Sequence, residues 1–261
     1  RVDSWRLVGS VPRVERIAFI VGIILFGALA GLAQAYGLVQ LGAWFPILVG
    51  LVTFAFFLFR MKRANAESVE GITFLNQGRF TEAVAAFERS HKRYPRSHVF
   101  IFNRGIALFS LWRVAEAEAS FLQASRMKVA NFSFDLERMV VPYLALTAAL
   151  LGRLDEARQR ITQADQLKLD RSAHLTIAKA VVALRSNELK SARELLASYE
   201  VKLLGGPTRG LADALTAWAA EQFLGQARPV DRVALFGEAG PDALRKVWPE
   251  LVEFVTRAPE V

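Results

Sequence analysis

Residues 71–95 read GITFLNQGRFTEAVAAFERSHKRYP, and this stretch determines the architecture that we predict. Its apolar side chains recur every three or four positions, with small alanines between them, and Gly78 and Pro95 interrupt the pattern. Such spacing is typical of two amphipathic helices joined by a tight turn. A single hairpin of this kind cannot bury its apolar face alone, so the sequence predicts further hairpins stacked against it.

The same unit recurs 34 residues later. The first copy has Gly71, Phe74, Gly78, Phe80, Ala83, Phe87, Ser90 and Pro95 at positions 8, 11, 15, 17, 20, 24, 27 and 32 of the unit, and the second has Gly105, Leu108, Val114, Ala117, Phe121 and Ala124 in the matching slots. Trp112 stands where the first copy has its turn glycine. A third copy around Gly152 and Ala157 follows after an insertion, for which we predict a loop over 128–135, and a weaker fourth has Asn187 at its turn. Four copies are enough for a stable stack.

This spacing resembles the tetratricopeptide repeat (TPR) family over about residues 64–202. The resemblance implies an all-α fold, an α-solenoid of helical hairpins. In it, small residues let paired helices approach and aromatic residues fill the space between successive hairpins. The implied framework residues are Gly71, Gly78, Ala83, Phe87, Pro95, Gly105, Ala117, Phe121, Gly152 and Ala157.

The resemblance also implies a concave groove that binds protein partners. Its lining would be apolar throughout: Ile72, Leu75, Phe102, Ile106, Phe109, Leu146, Leu150, Ile177, Val181 and Leu184. Family members that clamp a terminal carboxylate have Asn where this chain has Ile72. We therefore expect helical or apolar peptide segments as partners.

Residues 17–59 contain no Asp, Glu, Lys, Arg or His. One helix of that length would be roughly 65 Å long, about twice the thickness of a bilayer's hydrocarbon core. We therefore predict two transmembrane helices, over about 17–38 and 41–58, joined by a turn near Gln40. Basic segments at 1–16 and 60–63 flank them, which favours cytoplasmic termini in a bacterial inner membrane. The alternative is a signal peptide cleaved near residues 28–35.

Composition excludes several functions. Of the net charge of +8, five units lie beside the apolar stretch, in segments 1–16 and 60–63, so the charge does not indicate a nucleic-acid partner. The chain has no cysteine, which excludes disulfides and thiol chemistry. No nucleotide-binding, metalloprotease or serine-hydrolase motif surrounds His91, His98, His174 or any glycine pair. We expect no enzyme activity, no cofactor and no metal.

Residues 203–261 are predicted to be C-terminal capping helices, one of them over about 208–224. In 242–256, an apolar stripe comprises Leu244, Val247, Trp248, Leu251, Val252 and Val255, with Pro249 as a predicted kink. This stripe suits a cap on the last repeat, and it also suits a plug inserted into the groove. A third interpretation is that the groove residues pack against the second helices of their own hairpins.

Together these features predict a membrane-anchored TPR scaffold or adaptor that binds proteins at the cytoplasmic face of a membrane. Two alternatives stay open. The chain would otherwise be a structural or assembly subunit of a larger membrane complex, as a homo- or hetero-oligomer, or a regulatory fragment of a membrane enzyme whose catalytic part precedes Arg1.

Overall fold

The computed structural model describes residues 31, 50–56, 66, 69–95, 97–127, 133–169 and 171–260. Within these ranges the fold is all-α, as predicted. The described ranges contain no β-strand, and Val230 and Glu260 form an isolated parallel bridge in which the Val230 amide donates to the Pro259 carbonyl over 2.9 Å.

The helices follow one another with short connections. Before Phe80 the structure describes helical segments over 50–56 and 69–76, which we label α1 and α2, and a helical residue at Gly31. The next seven are α3 (Phe80–Arg93), α4 (His98–Ser110), α5 (Val114–Arg126), α6 (Ser133–Leu150), α7 (Leu154–Gln166), α8 (Ala173–Arg185) and α9 (Leu189–Leu196). The C-terminal part comprises α10 (Tyr199–Lys202), α11 (Gly206–Leu224), α12 (Arg232–Phe236), a 3₁₀ turn (Gly237–Ala239), α13 (Gly240–Arg245) and α14 (Pro249–Arg257).

Helices α2 to α9 pair into four hairpins whose turns share one geometry. Each first helix ends at a residue in the left-handed region, and these residues are Gly78 (φ 74°), Trp112 (φ 55°), Gly152 (φ 76°) and Asn187 (φ 62°). The next amide donates to a carbonyl five residues back: Arg79 to Phe74, Arg113 to Leu108, Arg153 to Ala148 and Glu188 to Ala183, over 2.8–3.0 Å. This arrangement satisfies the last carbonyls of a helix and redirects the chain. Consecutive helices from α3 to α9 pack against one another, so the hairpins form a continuous stack.

The first two hairpins repeat each other in their interiors as well. A Cβ added to Gly71 would lie 2.6 Å from the Phe87 ring, and one added to Gly105 would lie 2.6 Å from the Phe121 ring. Both rings are fully buried. The glycines are therefore needed because a phenyl ring packs directly on the backbone of the partner helix. Phe121 also contacts Tyr143 of the next hairpin, with ring centroids 4.9 Å apart, so one ring serves both interfaces.

Three local predictions need adjustment. Helix α6 begins at Ser133, inside the loop predicted for 128–135, and α11 begins at Gly206 rather than at 208. Pro249 does not kink one continuous helix, because α13 ends at Arg245 and Pro249 occupies the first turn of α14. A proline fits that position because the first amides of a helix have no intrahelical partner.

The predicted transmembrane hairpin lies mostly outside the described residues. Of 17–59 the structure describes Gly31 and 50–56, which are helical. In the described part of the chain, no helix combines the length and the apolar character needed to span a bilayer.

Candidate functional site

The ten predicted groove residues lie on α2, α4, α6 and α8, the first helices of the four hairpins. Seven of them are buried: Leu75, Phe102, Phe109, Leu146, Leu150, Ile177 and Val181. Ile72, Ile106 and Leu184 are partly exposed. Most of the predicted lining is therefore covered by the protein itself.

Helix α11 packs against two of the helices that carry these residues. It contacts α4 and α8, the first helices of the second and fourth hairpins, as well as α9. Its buried residues are mostly small: Pro207, Thr208, Gly210, Leu211, Ala212, Ala214, Leu215, Ala217, Ala219 and Ala220. The partly exposed side chains of Arg209, Asp213 and Thr216 recur at four- and three-residue spacing, so one face of α11 meets solvent and the rest of the helix is packed. We call α11 the groove helix.

The groove helix is covered in turn by α12 and α14. A Cβ added to Gly210 would lie 2.5 Å from the Leu235 backbone N and Cα atoms, so α11 and α12 meet backbone to backbone. Further along α11, the Trp218 ring lies 5.1 Å from the Trp248 ring and 6.2 Å from the Phe254 ring. We call residues 230–258, which contain α12 to α14, the clasp.

The clasp reaches the first hairpin through Glu238. The Glu238 carboxylate accepts hydrogen bonds from the Phe80 amide (2.5 Å) and the Thr81 amide (3.2 Å), at the start of α3. A carboxylate at this position also interacts favourably with the positive end of the helix dipole. The chain separation of 158 residues makes this contact a long-range tie rather than a local cap.

The clasp reaches the second hairpin through Trp112. The indole Nε1 donates to the Leu235 carbonyl over 2.9 Å, and the Trp112 side chain is 1% exposed. This contact explains why tryptophan occupies a turn position with positive φ, where the first and third hairpins have glycine. Backbone strain at Trp112 is offset by burial of a large ring and by one buried hydrogen bond.

Arg185 connects the third and fourth hairpins to the clasp. Its guanidinium donates to the Leu150 carbonyl over 3.0 Å, at the end of α6, and its Cζ atom lies 4.3 Å from the centroid of the Trp248 ring. Burial lowers the pKa of Arg185. The clasp therefore contacts the turn ends of the first, second and fourth hairpins. Because Arg185 also donates to the Leu150 carbonyl at the end of α6, it links the clasp to the third hairpin as well.

Arg232 closes the clasp on itself. Its guanidinium donates to the Thr256 carbonyl over 2.9 Å and to the Ala258 carbonyl over 2.8 Å, which joins the start of α12 to the end of α14. Leu235, Leu244 and Leu251 are fully buried between these elements. The clasp is thus a packed unit and not a loose tail.

A cluster of aromatic rings joins the middle hairpins beside the predicted groove residues. Tyr143 lies at its centre, with ring centroids 5.5 Å from Phe102, 6.4 Å from Phe109 and 4.3 Å from His174. Burial raises the pKa of the Tyr143 phenol and lowers the pKa of His174 to about 4. His174 is therefore neutral at pH 7.

We expect the free energy of unfolding to fall as the pH is lowered from 6.5 to 4. In that window the unfolded chain binds a proton at residue 174 more readily than the folded chain does, so protonation favours unfolding. The upper bound for a shift of this size is roughly 3 kcal/mol. Urea denaturation at several pH values tests this, with His174→Gln as the comparison. The expectation fails if the variant and the natural chain lose stability in parallel over this window.

Among the residues that the structure describes, there is no group of three or more His, Cys, Asp or Glu side chains suited to a metal ion. The pKa values of His91 and His98 are lowered, chiefly by burial, as expected for histidines packed near an interhairpin turn.

The sequence did not reveal the residues that hold the clasp. The repeat pattern shows that Trp112 occupies a position where the first hairpin has a turn glycine. It does not show that the indole bonds to Leu235, which lies 123 residues away in the sequence. Glu238 and Arg185 carry no local signal, because the pattern around each is that of an ordinary exposed charge.

Comparison with protein-family models, with curated proteins and with solved structures gives no match to this chain. The resemblance to tetratricopeptide repeats therefore depends on the chain's own residues.

Proposed function

We propose that this chain is a membrane-tethered TPR-like scaffold that binds apolar, helical segments of other proteins. One observation carries the proposal: four successive hairpins share the same left-handed turn and the same backbone hydrogen bond. Stacked helical hairpins of this kind present an extended surface and commonly act by binding proteins.

The tether is supported by α1 as well as by the uncharged stretch. Its Leu51, Val52, Phe54 and Phe56 side chains are between 50% and 63% exposed. A run of large exposed apolar side chains is unfavourable in water and suits contact with lipid. Such a tether confines the stack to a plane and raises its effective concentration toward partners in the same membrane.

The same observation favours one alternative, a structural subunit of a larger membrane complex. Exposed apolar side chains on α1 also suit contact with the transmembrane helices of another protein. In that case the partner would be held through the membrane segment rather than through the hairpin stack.

Crosslinking followed by affinity purification from native membranes tests the proposal. Phe102 and Phe109 are 4% and 1% exposed, so substituting them would disrupt the fold rather than the surface. We would instead combine Ile72→Lys with Ile106→Lys, because both side chains are partly exposed and a lysine stem can reach water. The matched control is Val233→Lys, at a side chain that is 79% exposed on α12.

We expect the double variant to lose partners that the natural chain and the Val233→Lys control retain, with unchanged helicity by circular dichroism. An identical set of partners from all three proteins would contradict binding through the hairpin stack. It would leave the complex-subunit alternative in place.

A further inference from the structure

We propose that one end of the hairpin stack lies on an anionic lipid surface, that of the membrane to which the chain is tethered. At this end the second helix of one hairpin finishes and the first helix of the next begins. We call it the basic end, after its exposed side chains Lys92, Arg126, Lys168 and Arg171. The proposal rests on the tether of the proposed function and adds a ligand to it, the head groups of anionic phospholipids.

The two ends of the stack differ in how their charges are paired. The opposite end, where each hairpin has its own turn, carries ion pairs between side chains three residues apart: Arg79 with Glu82, Arg113 with Glu116 and Arg153 with Glu156. Among the described residues, the four basic side chains of the basic end form no such pair with a carboxylate. Their charges are therefore available to lipid phosphates.

The acidic side chains near the basic end do not cancel its charge. Asp165 forms an ion pair with Lys179 over 2.8 Å, and the Glu137 carboxylate accepts a hydrogen bond from the Gln163 amide over 2.8 Å. The sequence has two further basic and two further acidic residues in or beside the same connections: Arg96, Lys128, Asp135 and Asp170. The balance at this end stays positive, which favours an anionic surface.

The tether leads into the basic end. Helix α2 begins there, because Arg89 near the end of α3 donates to Glu70 near the start of α2 over 3.1 Å. Val69 follows Phe59, the last residue of the uncharged stretch, by ten residues, which span at most about 35 Å when fully extended. The basic end is thus held close to the bilayer, whereas the clasp contacts the turn end.

Helix α10 adds apolar side chains to the basic end. It follows α9, which finishes there, and it contacts α8 and α11. Tyr199 is 70% exposed and Leu203 is 59% exposed, and the exposed Lys202 precedes Leu203 in the sequence. Tyrosine and leucine beside lysine are typical of segments that enter the head-group region of a bilayer. Basic and apolar side chains at this end therefore suit the same surface.

Quenching by a lipid that carries a nitroxide on its head group tests this inference. The chain contains no cysteine, so a single introduced thiol carries one fluorophore. Ser125→Cys places it at an exposed position of the basic end, and Thr81→Cys places it at the turn end, roughly 18 Å away along the helices. The full chain is reconstituted into vesicles of phosphatidylcholine alone, or of phosphatidylcholine and phosphatidylglycerol in equal parts, with the same fraction of nitroxide lipid.

Two double variants that change the net charge equally serve as test and control. The test variant combines Arg126→Glu with Arg171→Glu at the basic end. The matched control combines Lys190→Glu with Lys246→Glu, at exposed residues near the turn end: Lys190 follows the fourth turn, and Lys246 lies two residues before Trp248. Circular dichroism checks that each variant keeps its helicity.

We expect quenching at position 125 to be at least about fivefold stronger in the anionic vesicles than in the neutral ones, because each basic residue near such a surface contributes roughly that factor to binding. The test variant, or salt at about 1 M, should remove the difference. The control variant should retain it, and position 81 should be weakly quenched in both lipids. Equal quenching at position 125 in the two lipids, or an equal loss in the control variant, overturns the inference.

Flotation of the vesicles on a density gradient tests the tether separately. A chain that floats with neutral vesicles but shows no lipid-dependent quenching at position 125 keeps the tether and refutes the lipid-binding end. A chain that floats only with anionic vesicles, and is quenched at position 125, supports the lipid-binding end and refutes the tether. A chain that floats with neither refutes both.

Discussion

Trp112→Ala is expected to lower the free energy of unfolding by about 3–5 kcal/mol, the usual range when a fully buried large aromatic side chain is truncated. Trp112 is 1% exposed, packs against Phe109 with ring centroids 5.7 Å apart, and donates to the Leu235 carbonyl. The substitution removes the ring and leaves that carbonyl without its partner. Urea denaturation followed by circular dichroism measures the change.

Two further substitutions at this position separate the contributions. Trp112→Phe keeps a ring but loses the Nε1 donor, so we expect an intermediate loss, of which about 1–2 kcal/mol reflects the unpaired carbonyl. Trp112→Gly should be less harmful than Trp112→Ala by about 1 kcal/mol, because glycine adopts a φ of 55° without strain. If Trp112→Ala and Trp112→Gly lower the free energy of unfolding equally, the positive φ at this position does not strain the backbone.

Gly210→Ala is expected to destabilise the protein by at least about 2 kcal/mol. The added methyl group would lie 2.5 Å from backbone atoms of Leu235, and backbone cannot rotate away as a flexible side chain can. The groove helix and α12 must therefore separate. This movement also disturbs the hydrogen bond from Trp112 Nε1 to the Leu235 carbonyl. The melting temperature and the urea midpoint both report this loss.

Gly205→Ala is the matched control for Gly210→Ala. A Cβ at Gly205 has nothing within 4 Å, and its φ of −130° suits any residue. We expect a loss of less than about 1 kcal/mol, arising from alanine being a poor helix N-cap. Equal losses at positions 205 and 210 would contradict the close contact between α11 and α12.

The hairpins were predictable because their determinants are local. Gly71 and Phe87 are sixteen residues apart on adjacent helices, and the same pair recurs as Gly105 and Phe121. Since the turn geometry depends on one residue with positive φ, Gly78 and Gly152 predict their turns directly. Periodicity and a few glycines therefore suffice for the all-α stack.

The arrangement of the C-terminal part could not be predicted in the same way. The apolar stripe from Leu244 to Val255 predicts burial, and those side chains are buried except for Val247, which is partly exposed. A stripe does not say against what it packs, however, and cap and plug share the same periodicity. In the structure the stripe packs on the C-terminal side of the stack: α14 contacts α11, and the Trp248 ring lies beside Trp218 and Arg185.

For the predicted groove, too, the sequence indicates apolar positions but not what packs against them. Its apolar character was read from ten positions, and an apolar surface is compatible with either a bound partner or an internal one. In the structure, seven of the ten side chains are buried within the fold. Ile72, Ile106 and Leu184 retain partial exposure, which is why the partner experiment relies on the first two.

The central claim is that the C-terminal clasp lies against the first hairpin of the same molecule. Intramolecular crosslinking in native membranes tests it most directly, with Thr81→Cys and Ala239→Cys in one chain and a bismaleimide that spans about 10 Å. Glu238 is left unchanged in both pairs. The control pair replaces Thr81→Cys with Ser125→Cys, which lies on α5 roughly 20 Å along the helix from the turn at Trp112. We predict efficient crosslinking within one chain for positions 81 and 239 and little for 125 and 239. Absence of the 81–239 link, or its formation only between two chains, would contradict the claim.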